Sequence, residues 1–323
     1  FIIAFSAVGL LYHHLMSWAD HPQATAGQEK LFTIPPGQGL GQTARALERE
    51  GLISDALRFT ILVRLEKQDK LLKAGEYFFS TSMTPNEILA QMVEGRVHLY
   101  RVTVPEGFNL VQIAHAVAAA GLASEADFLA TARDPQIAET LGIPADTLEG
   151  YLFPDTYYFP SGLDSETIIT TMVKQFRTAF KPEWKVRAEQ LGMSVHEVVT
   201  LASIIEKETG APEERPLISS VFHNRLKKGM RLETDPTVIY GIADFDGNLK
   251  RRHLETYTPY NTYKIKGLPP GPIASPGAAA IEAALYPAST DYLFFVSKKD
   301  GTHQFSTSIE AHNAAVRKYQ LRK

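Results

Sequence analysis

The 323-residue chain contains no cysteine. That excludes disulfides, thiolate metal sites and a cysteine nucleophile, and it leaves the redox compartment undecided. Its ten histidines include no pair four residues apart and no HExxH, so a hydrolytic zinc site is not expected. No glycine-rich phosphate loop follows a strand pattern, and no Gly-x-Ser-x-Gly elbow presents a serine nucleophile. No cofactor is expected. A dominant charge is missing too: 33 basic and 36 acidic residues give a net charge of −3, which offers nucleic acid no basic face. A long apolar run is also lacking. Phe1 to Tyr12 (FIIAFSAVGLLY) carries no charge, but twelve residues fall short of the ~20 that span a bilayer.

What is present is an ordinary globular composition, 44% apolar and 21% charged, in a chain long enough for two or three domains. A start at Phe1 suits a fragment clipped within an apolar segment, and Trp18 suits a membrane-interface belt. Residues 1–18 are therefore expected to be an uncleaved membrane anchor truncated at its start, followed by a linker over 19–30. The rival is a cleaved signal peptide with Ala24-Thr25-Ala26 as its site, which lies far beyond the apolar stretch.

An internal repeat organises the next region. Thr33 to Ser54 (TIPPGQGLGQTARALEREGLIS) aligns without gaps to Thr103 to Ser124 (TVPEGFNLVQIAHAVAAAGLAS), with 10 of 22 positions identical. Each copy reads as a short strand, a Pro-x-Gly turn, an amphipathic helix and a glycine stop. Such β-turn-helix units resemble LysM-like modules that bind amino-sugar polymers, and a purely structural spacer is the other reading. The repeat region is taken as 31–147. Composition shifts at Leu148, where EGYLFPDTYYF (Glu149 to Phe159) concentrates aromatics that can stack on sugar rings or simply fill a core. Glu149 and Asp155 flank the rings, and either could be one carboxylate of an ordinary glycosidase. Asp155 after Pro154 also reads as a turn residue.

Ser194 to Gly210 places one carboxylate where a carboxylate is expensive. Ser194 and Glu197 form a capping box that starts a helix, and Val198 to Ile205 is apolar on nearly every face, the pattern of a buried helix. Glu206 arrives at the end of that run, one turn before Thr209-Gly210 stops it. Desolvation and the negative end of the helix dipole both disfavour the charged form, as a general acid at neutral pH requires. The alternative is a solvated helix end beside Lys207.

The chain then reads as a helix over Arg215 to Met230, with Val221, Phe222 and Leu226 inward and His223, Asn224 and Arg225 on the other face. A second helix starts at Pro236, capped by Thr234 or Asp235. Beyond Tyr260 to Tyr263, the rigid loop Gly267 to Ile273 is either a sugar-binding wall or a stiffened connection. Ser275-Pro276-Gly277 caps a helix through Leu285, a hairpin turns at Lys299-Asp300-Gly301, and a last helix runs from Ser308 to Tyr319. Mixed elements without a βαβ rhythm predict an α+β catalytic domain over 148–323.

ASIIEKET (Ala202 to Thr209), VFHNRLKKGMRLETDPTVIYG (Val221 to Gly241), YNTYKIKGLPPGPIASPG (Tyr260 to Gly277) and HQFSTSIEAHN (His303 to Asn313) together resemble the YceG-like endolytic murein transglycosylase family. With EGYLFPDTYYF and the repeat units, the resemblance covers nearly the whole chain. It implies a single-pass protein of the cell inner membrane whose catalytic domain lies on the periplasmic side and cuts peptidoglycan glycan strands internally. It puts the catalytic acid on Glu206. That one residue would protonate the bond between N-acetylmuramic acid and N-acetylglucosamine, then deprotonate the muramic acid C6 hydroxyl to leave a 1,6-anhydro end. Motif membership makes Asn224, Asp235, Tyr240, Asn261 and Tyr263 substrate-binding candidates, each of which also has a structural reading. The implied partners are glycan strands, the cytoplasmic membrane through the anchor, and cell-wall synthases, with no nucleic acid. The alternatives are a hydrolytic muramidase, taking Asp155 or Asp235 as its second carboxylate because Glu208 points to the other side of the helix, and a non-catalytic wall-binding scaffold.

Overall fold

A computed structural model describes residues 2–321, and the chain divides into two units, one of residues up to 101 with 158–163, the other of 102–157 with the rest. Phe1, where the apolar opening begins, lies outside the described residues.

The first unit comprises α1 (Ile2–Ala19), β1 (Glu29–Ile34), α2 (Leu40–Arg49), α3 (Ala56–Leu65), β2 (Gly75–Ser80) and α4 (Pro85–Glu94). Strands β1 and β2 are antiparallel, with Phe32 opposite Tyr77 and Leu31 opposite Phe78. Alternation sends Phe32, Ile34, Tyr77 and Phe79 into a core with Leu47, Phe59, Leu62, Ile88 and Met92, while Leu31 and Phe78 stay exposed. The Thr84/Glu87 capping box and Pro85 start α4. At its C-terminal end α1 joins this core through Ala19, whereas Val8, Leu10, Leu11 and Tyr12 are exposed. Among the described residues no helix is long and apolar enough to cross a membrane. The segment expected to be a linker is bound to the unit. Ala24 N–H donates to the Thr81 carbonyl, and Thr81 donates from its N–H to the Gln28 carbonyl and from its hydroxyl to that of Ala26.

The second copy of the repeat has the same element order: β3 (Leu99–Thr103), α5 (Leu110–Ala119) and α6 (Glu125–Ala132) correspond to β1, α2 and α3. Gly37 and Gly107 close the two Pro-x-Gly turns at φ +79° and +78°, a left-handed conformation that glycine takes readily. The division between units falls at 101/102, well before the composition shift at 148. Ile113, Val117, Phe128 and Ala132 of the second copy are fully buried, and α6 packs on α8 (Ser165–Ala179) of the second unit.

The second unit continues with α7 (Pro135–Thr140), β4 (Thr156–Pro160, paired with β3), α8, α9 (Pro182–Leu191) and α10 (Val195–Glu208). A short 3₁₀ turn (Pro212–Glu214) leads to α11 (Arg215–Lys227), α12 (Asp235–Tyr240), α13 (Arg251–Glu255) and α14 (Ala278–Leu285). The hairpin β5 (Phe294–Ser297) and β6 (His303–Ser306), α15 (Ile309–Val316) and a final π turn (Arg317–Leu321) complete it. The fold is α+β, with strands only in three two-stranded sheets among the described residues. At the centre lies α10. Its eight residues Val198 to Ile205 are all buried, because α9, α11, α12 and α14 pack around them.

Candidate active site

The start of α10 is set locally, with Ser194 accepting from the Glu197 N–H and Glu197 accepting from the Ser194 N–H at 2.8 Å. One face of the helix is then laced to the proline-rich loop. His196 Nε2 bonds the Pro270 carbonyl at 2.9 Å, Ser203 Oγ accepts from Ile273 N–H at 3.0 Å, and Glu206 Oε2 accepts from Gly277 N–H at 3.0 Å. The loop from Gly271 to Gly277 is buried throughout. It is a strap that delivers one backbone N–H, at the start of α14, to the Glu206 carboxylate.

The Glu206 side chain is 7% exposed. Arg215, at the first position of α11, donates from Nη2 to Glu206 Oε1 at 3.2 Å. The same nitrogen lies 3.7 Å from Glu106 Oε2. Glu106 belongs to the Pro-x-Gly turn of the second repeat copy. That turn is held here by Gly107 N–H donating to the Ser275 carbonyl at 2.9 Å and Ser275 N–H donating to the Phe108 carbonyl at 2.7 Å. A Cβ on Gly277 would overlap the Glu106 carboxylate, so glycine there makes room for it. Burial and the neighbouring Glu206 push the Glu106 carboxyl above the usual range, and Arg215 pulls it back. The surroundings of Glu206 are therefore of mixed sign. The negative end of α10 and Glu106 stand against Arg215 and the N-terminal end of α14.

Glu106 was missed in the sequence, where it read only as a turn residue. A signal existed: the aligned position of the first copy is Pro36, so the turn itself needs no acid.

The five residues proposed for substrate binding are not among the hydrogen-bond partners of Glu206. Asn224 donates from Nδ2 to the Thr290 and Tyr292 carbonyls at 2.8 and 3.0 Å. Asn261, fully buried, donates to the carbonyls of His253, Leu254 and Thr256 and accepts from Tyr263 N–H. Both staple loops. Tyr240 donates to Glu149 at 3.0 Å. Asp235 and Tyr263 do come together, the hydroxyl donating to the carboxylate at 2.8 Å. They line a cavity of about 340 Å³ with Glu208, Arg225 and Glu233. Thr234, not Asp235, is the N-cap of α12, and its hydroxyl donates to Glu208 instead of accepting from a helix N–H. Burial raises the Glu208 carboxyl. Arg225, expected on the outer face of α11, is buried.

The other two acids considered are also committed. Asp155 accepts from Thr156 N–H and Gln175 Nε2 at 2.7 Å each. Glu149, 4% exposed, accepts from the Leu110 N–H at the start of α5 and from Tyr240. Burial pushes its carboxyl up to about 7 against the pull of those donors. The protonated carboxyl is therefore favoured by folding. Its stabilising contribution is complete below the unfolded value near 4.5 and is lost as pH rises to about 7. Thermal midpoints measured from pH 4.5 to 7.5 should fall with pH in the native chain and fall less in Glu149→Gln. Equal slopes would show that Glu149 does not titrate in this range.

The YceG-like family model matches residues 32–318. The endolytic murein transglycosylase of Bacillus subtilis (strain 168) is 36% identical over 304 residues, covering 89% of this chain and 84% of that one. The endolytic murein transglycosylase of Streptococcus pneumoniae (strain D39) is 30% identical over 326 residues, and the match covers 90% of this chain and 59% of that longer protein. A putative yceG-like protein from Listeria monocytogenes, solved by crystallography, superposes with a TM-score of 0.63 at 37% identity, covering 88% of this chain and 98% of the other.

Proposed function

Because the chain belongs to the YceG-like family and is an endolytic murein transglycosylase, we propose that Glu206 carries its chemistry, first as acid and then as base. The observation that supports this most is a carboxylate only 7% exposed, held between Arg215 and the Gly277 N–H at the end of a fully packed helix. Protonated Glu206 gives its proton to the oxygen joining muramic acid C1 to N-acetylglucosamine, and the C1–O bond breaks. The C6 hydroxyl of the same muramic acid then bonds to C1 and returns its proton to Glu206. The acid is regenerated, the strand carries a 1,6-anhydro end, and no water is consumed. Arg215 and the Gly277 N–H receive the negative charge that Glu206 carries between the two transfers. Because the nucleophile is part of the substrate, positioning supplies its effective concentration.

Hydrolysis is the second reading, and one observation favours it: Glu106 is a second carboxylate on the same guanidinium, where a base for water could stand. Mass spectrometry of digested glycan strands separates the readings. Anhydro ends are expected. Reducing ends would mean a muramidase, and intact strands a scaffold.

The remaining expectations fit this activity. Phe78, His98 and Tyr100 form a chain of rings in the first unit, with centroids 4.6 and 4.7 Å apart. Sugar faces stack on such rings, which supports a LysM-like role in holding glycan. The exposed Val8, Leu10, Leu11 and Tyr12 on α1 support membrane attachment, with the second unit on the wall side near the synthases that extrude the strand.

A further inference from the structure

We infer that Glu106 is a positioning residue of the reaction centre, offering Arg215 a second carboxylate so that Glu206 can hold a proton without stranding the guanidinium. This rests on the reading of Glu206 as the acid. Arg215 is 16% exposed and stays charged at all working pH. A buried cation that loses its partner is costly. Glu206 is neutral at the beginning and end of every cycle, so with a single carboxylate each proton uptake would leave Arg215 unpaired. Arg215 Nη2 already lies 3.2 Å from Glu206 and 3.7 Å from Glu106, so a small rotation moves it from one partner to the other. Among the described residues its buried Nε has no hydrogen-bond partner, so the move breaks no bond there.

The rest of the turn is built to keep Glu106 in place. Backbone pairing of Gly107 and Phe108 with Ser275 fixes the turn beside the strap, and Gly277 leaves the carboxylate room. The first copy makes the same turn with Pro36 and no acid, so Glu106 is not needed for the backbone. Its side chain is 49% exposed, open enough to take up or release charge. The other charged groups nearby are engaged or exposed. Lys207 Nζ donates to the Gly107 carbonyl at 3.3 Å, Glu214 pairs with His303 at 2.7 Å, and Glu213 is exposed on the 3₁₀ turn.

The test is the pH profile of kcat/KM on purified glycan strands. In Glu106→Gln the negative charge beside Glu206 disappears and Arg215 pairs with Glu206 alone, so the basic limb should move to lower pH. Gly277→Ala keeps the N–H, displaces the Glu106 carboxylate, and should move the limb the same way. Arg215→Gln should move it to higher pH. A purely structural loss would lower the rate without moving limbs in opposite directions, and thermal midpoints of each variant check the fold. A basic limb unmoved or raised in Glu106→Gln overturns the inference. Undiminished cleavage by Glu206→Gln would instead remove the reading on which it rests.

Discussion

Glu206→Gln is expected to lower the rate of strand cleavage by about 10²- to 10⁴-fold, the usual contribution of a positioned acid or base. The amide has nearly the same shape, and its oxygen can still accept from Arg215. It cannot supply or recover a proton, so both halves of the cycle fail together. The loss should appear in kcat with little change in KM, because the substitution removes a group used in the transition state. Folding should survive, since α10 is secured by the buried residues Val198 to Ile205 and by the Ser194/Glu197 box rather than by Glu206. Rates on isolated strands, with a melting curve of the same preparation, make the measurement. A variant that cuts at the native rate would move the chemistry to another residue.

The second large effect is on stability. Arg225 is 7% exposed and works as a clamp. Its Nε donates to the Leu293 carbonyl at 2.6 Å, and Nη1 donates to the carbonyls of Arg231 and Leu232 and to Glu233 at 2.9–3.1 Å. The guanidinium also lies 5.0 Å over the Phe294 ring. It thereby ties the end of α11 to the loop before α12 and to the start of β5. Arg225→Met keeps much of the volume but leaves three carbonyls and one carboxylate without that donor. Removing the donor from three carbonyls, with Glu233 itself 44% exposed, costs about 3 kcal/mol. In a unit of this size that lowers the thermal midpoint by on the order of 10 °C. Calorimetry decides it, and an unchanged midpoint would mean that water replaces the clamp at no cost.

Arg225 also shows where sequence reading stops. Caps and periodicity are local, so the Ser194/Glu197 box, the buried run of α10 and the closing hairpin were all legible. Which face a polar side chain serves is a tertiary matter. Asn224, Asn261 and Arg225 sit in motifs that look like a binding surface, yet their polar groups go to backbone carbonyls, 5–8 residues away for Asn261 and up to 68 away for Asn224 and Arg225. Glu106 is the converse. Nothing within its turn marks it, and the residues that bring it to Arg215 lie more than a hundred positions downstream. Its one visible sign was the difference between two otherwise matching turns, proline in one and glutamate in the other. The unit division was hidden for the same reason. Composition changes at 148, but the packing of α6 against α8 is long-range and composition does not report it.

Cleavage in water enriched in oxygen-18 tests the one-carboxylate lyase most directly. Attack by the substrate's own C6 hydroxyl brings no solvent oxygen to C1, so the new ends should be unlabelled and lighter than reducing ends by one water. One heavy oxygen per cut, on a reducing muramic acid end, would show that water is the nucleophile and that Glu206 works with a second carboxylate.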